Sequence, residues 1–421
     1  MYQAENLRAV VAAARSRSRA AALPSVSRTV LLLGLTSLFT DISSEMVATI
    51  LPLYLVFRLG FTPLQFGVID GLYQGVSALV RVASGVVGDR WRRHKDVAFF
   101  GYGLSAICKP LFLVVGAAWS GLVAVILFDR TGKGIRTAPR DALISLSTPP
   151  ADLGAAFGVH RALDTAGAMI GPLLAFALLE LRPNHYDPIF VISFCFAIVG
   201  VSILGLFVRN DAAPNETVRE VEHVSFHGIG QLLVEPRFRL VTLAGSALAI
   251  ATVSDGFLYL GLQRRLQFDP SYLPLLYVGA AAVFMVLAVP MGRLADRYGR
   301  ATVFVTGYAL LLLVYALLLL PSFGGAQLVL YLVLVGAYYA ATDGVLMALA
   351  SAVIPAHLRG SGLSALVTAT SIGRLVSSVV FGAIWAAYSA GAAVATFGVL
   401  LGAALCVAVM LLRRTPRHAL A

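Results

Sequence analysis

The amino-acid sequence predicts an all-α membrane protein with 12 transmembrane helices, arranged as two pseudo-symmetric six-helix bundles. Three observations predict this: the composition, a series of long apolar segments, and an internal repeat. Of the 421 residues, 59% are hydrophobic and 13% are charged, whereas a soluble domain has about 25% charged residues. So few charges cannot cover a soluble surface, but a lipid bilayer does not require them.

Twelve apolar segments are long enough to be helices that cross the hydrocarbon layer, which takes about 20 residues. Their hydrophobic runs are continuous and lack the alternation of barrel strands, and a helix satisfies its own backbone groups in lipid. The predicted spans lie near residues 29–57, 63–87, 97–117, 120–142, 155–180, 187–208, 238–262, 272–292, 301–320, 326–351, 362–388 and 390–412.

The net charge of +11 is distributed unevenly between the two sides of these spans. If the N-terminus is cytoplasmic, most loop arginines and lysines lie on the cytoplasmic side. This asymmetry predicts a multi-pass protein of the cell membrane with both termini inside, and nucleic acid is not needed as a partner. Cations on the predicted cytoplasmic side include Arg90, Arg92, Arg93, Lys95, Arg140, Arg293, Arg297 and Arg300, against Arg58, Arg182, Arg264 and Arg265 outside.

The longest internal polar stretch, RNDAAPNETVREVEHVSFHG, starts at Arg209 and indicates a linker between two halves. The N-terminal segment lacks the apolar region and cleavage site of a secretory signal, so we interpret it as a cytoplasmic tail. The predicted organisation is a tail (1–27), a first bundle (28–208), a cytoplasmic linker (209–236), a second bundle (237–413) and a short tail (414–421).

Two short sequences recur at nearly the same offset along the chain. GVVGDRWRRHK from Gly85 is echoed by GRLADRYGR from Gly292, and PADLGAAFG from Pro150 is echoed by PAHLRGSGL from Pro355. Two echoes in register predict two halves of the same topology, which is the parallel repeat of one class of transporters.

With these motifs, the sequence resembles the major facilitator superfamily (MFS) from about Val30 to Arg413. The family's loop signature, G-x3-D-R-x-G-x-[KR]-[KR], is matched in part by both loops. The resemblance implies that the two loop aspartates accept hydrogen bonds from a helix N-terminus of the opposite half and so act as gates. The matching residues are Gly85, Asp89 and Arg90 in the first loop, and Gly292, Asp296 and Arg297 in the second.

Two further motifs fit the same family. DRTGKGIR, from Asp129, is similar to the fourth-helix motif, with Arg130 at its arginine. GAMIGP is similar to the fifth-helix signature G-x3-G-P that is common in antiporters, and it places Gly167, Gly171 and Pro172 among the expected gating residues. DISSEM and GKGIRTAPRDALI together resemble a prokaryotic permease subgroup.

Two acids interrupt the first apolar segment. Asp41 and Glu45 are four residues apart and share one helix face. Acids facing lipid are prohibitively costly, so we expect this face to line a cavity. Two neighbouring carboxyl groups in a medium of low dielectric constant cannot both ionise cheaply, which makes the pair a candidate for proton coupling. The alternative is a structural pair held by Ser43, Ser44 or a cation.

The fourth helix is the most highly charged. Lys133 follows Asp129 by four residues, so these two could pair along the helix. Arg130 would then remain for an acid on another helix or for an anionic substrate. Lys133 and Arg136 could instead be cations that extend toward the cytoplasm.

Other intramembrane charges complete the predicted substrate site. Arg161 and Asp164 are three residues apart and could satisfy each other. Asp255 and Asp343 are candidate cavity acids, or else mark a cap or a helix break beside Gly256 or Gly344. A single histidine, His160, is weak evidence for a metal, so we expect no metal site. The substrate-binding candidates are Asp129, Arg130, Arg161, Asp164, Asp255 and Asp343.

The residues favour a secondary active transporter that moves a small solute by alternating access, with proton-coupled export as the leading hypothesis. The alternative is uptake of a metal ion, metal complex or organic anion. We expect no enzyme, because no catalytic constellation is present, and no cofactor. Direct ATP use is not expected, because the sequence has no GxxxxGK[ST] loop. Protons are the expected coupling ion, and the protein is expected to act as a monomer in the bilayer.

Overall fold

A computed structural model describes residues 27–91, 93–149, 152–208, 230–232, 234–322, 324–355 and 358–413. The side chains of residues 82–91 and 359 are not part of this description. The predicted tails, apart from Ser27, and most of the predicted linker lie outside the described residues. The domain boundaries derived from the sequence therefore stay predictions.

The described chain is almost entirely helical. The first half contains α1 (Arg28–Leu53, continued by the π-helical turn Tyr54–Arg58), α2 (Pro63–Trp91), α3 (His94–Val115), α4 (Trp119–Leu146), α5 (Leu153–Leu181) and α6 (Asp187–Phe207). The second half contains α7a (Pro236–Ile250), α7b (Asp255–Leu266), α8 (Leu273–Tyr298), α9 (Arg300–Leu319), α10 (Gly325–Val353), α11 (Arg359–Ala387) and α12 (Ala390–Arg413).

Ten helical segments among the described residues are long and apolar enough to cross a membrane, counting α7a and α7b as one. The other two helices, α2 and α4, have 29 and 28 residues, and α4 carries six charged residues. An all-α membrane protein is therefore confirmed, and its segments follow the predicted order. We call the end of the bundle that bears Arg28 and Arg413 the terminal end, and the other the far end.

Each half packs as a bundle of its own. In the first half, α1 packs against α5 and α6, and α4 packs against α2 and α3. In the second half, α10 packs against α8 and α9, and α12 packs against α7a and α9. The main contacts between the halves are α2 with α11 and α5 with α8. These two contacts are equivalent under the repeat, in which α2 corresponds to α8 and α5 corresponds to α11.

Contacts between the halves are concentrated at the far end. A Cβ on Gly382 would lie 2.5 Å from the carbonyl oxygen of Pro63, so only glycine allows α2 and α11 to approach this closely there. The Phe66 and Phe257 rings lie 4.7 Å apart, and Phe176 lies 5.6 Å from Tyr272. These contacts close the far end.

The seventh helix is interrupted between α7a and α7b. The backbone N–H of Val253 donates to the Tyr315 hydroxyl at 2.7 Å, and that hydroxyl donates to the carbonyl oxygen of Ala251 at 3.0 Å. Ser377 donates to the Thr252 carbonyl oxygen. Backbone outside a helix is tolerated at membrane depth only where such partners or a cavity satisfy it. Asp255, which the sequence left as a cavity acid or a helix break, is the first residue of α7b.

The GAMIGP motif brings α5 against α1. A Cβ on Gly167 would lie 2.5 Å from the Leu38 carbonyl oxygen, and one on Gly171 would lie 2.7 Å from that of Ile42. Both distances are shorter than any normal contact, so the two helix backbones touch through these glycines. Close backbone approach at small residues is a common mode of helix packing in membranes.

We predict that Gly167→Ala destabilises the protein, because the added methyl group forces α1 and α5 apart. Overpacking of this kind typically costs about 1–3 kcal/mol. Gly158→Ala on the same helix is the matched control, since its Cβ meets nothing within 4 Å and alanine favours helix. The measurement is the melting temperature of the purified protein in detergent. Equal melting temperatures for the two variants would contradict the packing described here.

Candidate functional site

Three adjoining cavities run between the two halves. The far cavity, about 230 Å³, is lined by residues that include Glu45, Asp70, Asp255 and Tyr339. The middle cavity, about 390 Å³, is lined by residues that include Arg130, Lys133, Asp343 and Arg374. The terminal cavity, about 550 Å³, is lined by residues that include Asp41, Arg136, Arg140 and Asp164. The far and middle cavities share lining residues, and so do the middle and terminal cavities. The three cavities therefore form one path that begins behind the closed far end.

The acids of the terminal cavity form an unexpected pair. The carboxyl groups of Asp41 on α1 and Asp164 on α5 face each other closely enough for a hydrogen bond between them when one of the two is protonated. Arg136 lies 3.7 Å from Asp41, and Arg140 lies 3.8 Å from Asp164. The sequence had paired Asp41 with Glu45, but Glu45 lines the far cavity instead. We call these two acids the carboxyl pair.

The antiporter-like motif positions the carboxyl pair. Gly167 follows Asp164 by three residues, and a Cβ on Gly167 would lie 3.2 Å from the Cβ of Asp41. Because α5 contacts α1 at this glycine, the side chain of Asp164 reaches that of Asp41. The structure therefore gives Gly167 a local role in spacing two acids; its predicted role in gating remains a proposal.

Polar side chains surround the carboxyl pair. Arg161 and Asp164 form an ion pair at 3.3 Å, as their spacing suggested, although the Arg161 side chain is 76% exposed. His160 is buried and shares a 3.0 Å hydrogen bond with the Ser37 hydroxyl. Arg140 also binds the neighbouring Asp141 at 2.9 Å. The exposure of Arg161 marks the mouth of the path at the terminal end.

Asp129 is buried behind the wall of the middle cavity. It accepts hydrogen bonds from Ser105 at 2.6 Å and from Lys109 at 2.9 Å, both on α3. It also accepts from Nε of Arg130 at 2.9 Å and from the same guanidinium's Nη2. Its partners are therefore Lys109 and Arg130, not Lys133 as the helical spacing suggested. The Arg130 guanidinium lies 3.6 Å from the centre of the Tyr73 ring.

Two other cations face the middle cavity. Lys133 on α4 and Arg374 on α11 make no ion pair within 4 Å among the described residues. Asp343, an exposed residue of α10, lies in the same cavity and influences Arg374 electrostatically.

The far cavity holds acids with neutral hydrogen-bond donors. Asp70 on α2 accepts from Gln74 at 3.1 Å and from the hydroxyl of Ser378 on α11. Asp255 accepts from the Tyr339 hydroxyl at 2.7 Å. The Asp70–Ser378 bond joins the two halves beside their closed end.

The predicted loop gates are only partly described. The side chains of Gly85, Asp89 and Arg90 lie outside the described part of the chain. The Asp296 side chain is 72% exposed and lies 3.6 Å from Arg300, while a Cβ on Gly292 would meet nothing within 4 Å. Arg297 lies over the Tyr298 ring at 5.4 Å. Asp296 thus binds its neighbouring helix in this conformation, and its gating role stays a prediction.

The three described cysteines are free: Cys108 is buried, whereas Cys195 and Cys406 are exposed. Among the described residues, no three His, Cys, Asp or Glu side chains come together as a possible metal site. The chemistry that the arrangement does offer is proton exchange at the carboxyl pair and ion binding at the cations of the middle cavity.

Two six-helix bundles around a charged central path define the class of protein as a membrane transporter. The profile of the Major Facilitator Superfamily matches residues 33–287 and 249–421. The chain therefore belongs to this superfamily, and the recognition made from the motifs is confirmed.

Individual relatives agree with this assignment. An uncharacterized MFS-type transporter of Methanocaldococcus jannaschii is 31% identical over 373 residues, or 86% of this chain and 89% of the relative. The multidrug resistance protein MdtH of Photorhabdus laumondii is 24% identical over 251 residues, or 60% of each chain. The crystal structure of the nucleoside transporter NupG superposes with a TM-score of 0.73 at 15% identity, covering 92% of this chain and 99% of that one. This last likeness shows the fold alone.

We predict that Asp129→Asn destabilises the whole protein, because Lys109 and Arg130 are then left buried without a counter-charge. Removing one partner of a buried ion pair typically costs about 3–5 kcal/mol. The measurement is the melting temperature in detergent, with the exposed Asp187→Asn as the control. An unchanged melting temperature for Asp129→Asn would show that these cations find other partners.

We predict that Ser378→Ala loosens the far end, because it removes a hydrogen bond between the halves that contributes about 0.5–1.5 kcal/mol. Ser377→Ala is the matched control, since Ser377 bonds Thr252 within the second half. Spin labels are attached at Leu64→Cys and Tyr388→Cys, which are exposed positions in opposite halves. Cys195 and Cys406 are first replaced by serine, and the distance between the two labels is then measured.

The expected result is a second, longer distance in Ser378→Ala, with its share of molecules raised up to about tenfold. Ser377→Ala is expected to give the same distribution of label-to-label distances as the labelled protein with both serines intact. If the two variants give the same distribution, the Asp70–Ser378 bond does not hold the halves together.

Proposed function

We propose that this protein is a secondary active transporter that exports a small solute in exchange for protons. The observation on which the proposal rests is the carboxyl pair, Asp41 with Asp164, at the wall of the terminal cavity. The two side chains are 17% and 18% exposed, so a proton can reach them from the mouth of the path.

The carboxyl pair has the chemistry of a proton carrier. Ionised carboxyl groups only accept hydrogen bonds, so two that bond to each other must share a proton. Arg136 and Lys133 act electrostatically on Asp41, and Arg140 and Arg161 act on Asp164. These cations favour one negative charge on the pair, while repulsion between two carboxylates opposes a second. The pair therefore holds one proton that a small rearrangement can release.

Alternating access supplies that rearrangement. The halves touch at the far end, while the exposed Arg161 and Asp296 lie toward the terminal end. A proton that binds one conformation more tightly than the other shifts the equilibrium between them. Because α1 and α5 both contact α8 of the second half, movement between the halves changes the surroundings of the carboxyl pair.

The direction of transport is supported by two further observations. GAMIGP packs α5 against α1 beside the carboxyl pair, and it is the antiporter-like motif of this chain. The relative from Photorhabdus laumondii is named a multidrug resistance protein. The excess of arginine and lysine in loops of the terminal end supports a cytoplasmic position for that end. In this orientation, the described conformation is open to the cytoplasm, ready to load a solute for export.

The remaining predicted site residues have roles consistent with this cycle. Glu45 acts electrostatically on Arg130 and Lys133, so it is a second proton-binding candidate further along the path. Asp89 and Asp296, with the glycines and arginines of their loops, close the terminal end when the cavity faces outward. Pro172 lies within α5, after the glycines that contact α1.

We predict that Asp41→Asn abolishes proton-driven export, because an amide cannot exchange the shared proton. A host lacking its own exporters would express the full chain while its growth is measured on a panel of dyes, antibiotics, metals and arsenicals. Protection by the unmodified protein is expected, with Asp41→Asn reduced to the level of the empty host. Protein amounts are matched, and Asp187→Asn serves as the control.

Two outcomes contradict this proposal. Sensitisation of the host that disappears in Asp41→Asn would indicate uptake, the alternative direction. Equal protection by Asp41→Asn over the full external pH range would remove the carboxyl pair from the coupling mechanism.

A further inference from the structure

We infer that the transported solute is a small organic anion whose negative group binds between Lys133 of the first half and Arg374 of the second. This inference rests on the proposed transport function and names its substrate class. It involves two residues that the sequence motifs did not assign to the site.

The walls of the middle cavity have an excess of positive charge. Arg130, Lys133 and Arg374 line it, with Asp343 as its one lining acid. The charge of Arg130 is not fully balanced by Asp129, because the same carboxylate also neutralises Lys109. Lys133 and Arg374 lack an ion-pair partner within 4 Å in the described chain, and an arginine side chain stays charged in proteins. The cavity thus offers cations that are not used by the fold.

The surroundings of Arg374 make an anionic ligand favourable. Tyr308, Tyr338 and Tyr339 all lie close enough to influence Arg374 electrostatically, but a neutral phenol does not neutralise a cation. Asp343 and Asp255 also act on Arg374 from a distance, without an ion pair within 4 Å in the described chain. A charge held in a medium of low dielectric constant without a counter-ion in contact is costly. An anion that enters the cavity removes this cost, and charge-assisted hydrogen bonds are the strong ones.

The other lining residues indicate an apolar body attached to the anionic group. Tyr73, Phe304, Tyr308, Leu346 and Met347 form the rest of the wall. The volume, about 390 Å³, falls within the range of about 300–1,000 Å³ that is usual for small-molecule sites. An aromatic or aliphatic carboxylate, sulfonate or phosphate fits these walls.

The acids nearby do not form an equally good site for a cation. Asp70 accepts from Gln74 and Ser378, and Asp255 accepts from Tyr339. Those donors occupy oxygen atoms that a cationic solute would need. Glu45 acts electrostatically on Arg130 and Lys133, and Asp343 acts on Arg374. With three lining cations and one lining acid, the middle cavity still has a net positive charge, which favours an anion.

The position of the two cations also couples binding to movement. Lys133 belongs to α4 and Arg374 to α11, so one anionic group bound by both connects the halves at the level of the middle cavity. In the described conformation, the halves meet at the far end, and contact between α2 and α11 extends to Gly75 and Leu375, next to Arg374. A ligand that holds Lys133 and Arg374 together favours a state in which the cavity is enclosed.

The test measures binding to the purified full-length protein in lipid nanodiscs at one pH and without a gradient. The probes are two series that share an apolar body and differ in the charge of the polar end group: benzoate, benzamide and benzylammonium, and hexanoate, hexanamide and hexylammonium. Binding is detected as a ligand-dependent rise in melting temperature, titrated to give Kd. We expect the anionic members to bind more tightly than their neutral and cationic counterparts.

The variants assign the binding to the two cations. Arg374→Gln and Lys133→Gln are each expected to weaken anion binding about tenfold or more, by loss of a charged hydrogen-bond partner. Arg374→Lys keeps the charge, and its affinity for the anion is expected to lie between that of the unmodified protein and that of Arg374→Gln. Arg237→Gln, at an exposed position of α7a, is the matched control and is expected to bind like the unmodified protein. Ligand-free melting temperatures establish that each variant is folded.

The inference is overturned if no anion binds the unmodified protein, if a neutral or cationic probe binds more tightly, or if both glutamine variants bind anions normally. The assay needs neither a proton gradient nor a transport direction. Anion binding without proton-coupled export would therefore refute only the proposed function, and export without anion preference would refute only this inference.

Discussion

The carboxylate of Asp129 is the counter-charge on which the charged interior of the first half depends. It bonds Lys109 from α3 at 2.9 Å and holds Arg130 of its own helix, while Ser105 donates a third contact at 2.6 Å. The backbones of α3 and α4 meet nearby at Gly101 and Gly132. Because Asp129 orients the guanidinium, Arg130 extends over Tyr73 at the cavity wall. A residue that does not line the middle cavity thus determines where one of its cations points.

The need for a counter-charge separates charges that stabilise the fold from charges that are available for function. In a membrane, a charged group needs a partner, water or a ligand. Asp129, Lys109 and Arg140 have partners within the first half. Within the described part of the chain, Lys133 and Arg374 have no ion pair within 4 Å, and Asp41 faces another acid, Asp164. Stability alone does not favour a like-charge pair or an unpaired cation, so these residues are the strongest candidates for transport chemistry.

The two ends of the bundle differ because their contacts differ. At the far end, Gly382 and the Phe66–Phe257 contact let α2 and α11 meet closely. Toward the terminal end, Arg161 and Asp296 are exposed instead. Alternating access requires that these two arrangements exchange. A hydrogen bond such as Asp70–Ser378, which is modest in energy, can hold one state without making it permanent.

Much of this protein was predictable because its signals are local in sequence. Helices of about 20 apolar residues and the repeated Asp-Arg turns each lie within a short window, and bilayer physics converts the apolar segments directly into membrane helices. The cations in alternate loops predict an orientation, which stays a prediction. The Arg161–Asp164 pair was predictable for the same reason, since a helix places residues three apart on one face. Family membership followed from the motifs, and the sequence profile confirmed it.

The partners of the remaining charges were decided by the tertiary structure. Asp41 meets Asp164, and Asp129 meets Lys109, although the nearer residues Glu45 and Lys133 had the helical spacing to compete. A helix places several residues on each face, and the packed neighbour selects which of them is bonded. For Asp41 that neighbour is α5, brought close by Gly167. The surroundings of Arg374 were decided in the same way. Whether a buried charge has a partner depends on helices that are distant in sequence, and only the folded chain brings those helices together.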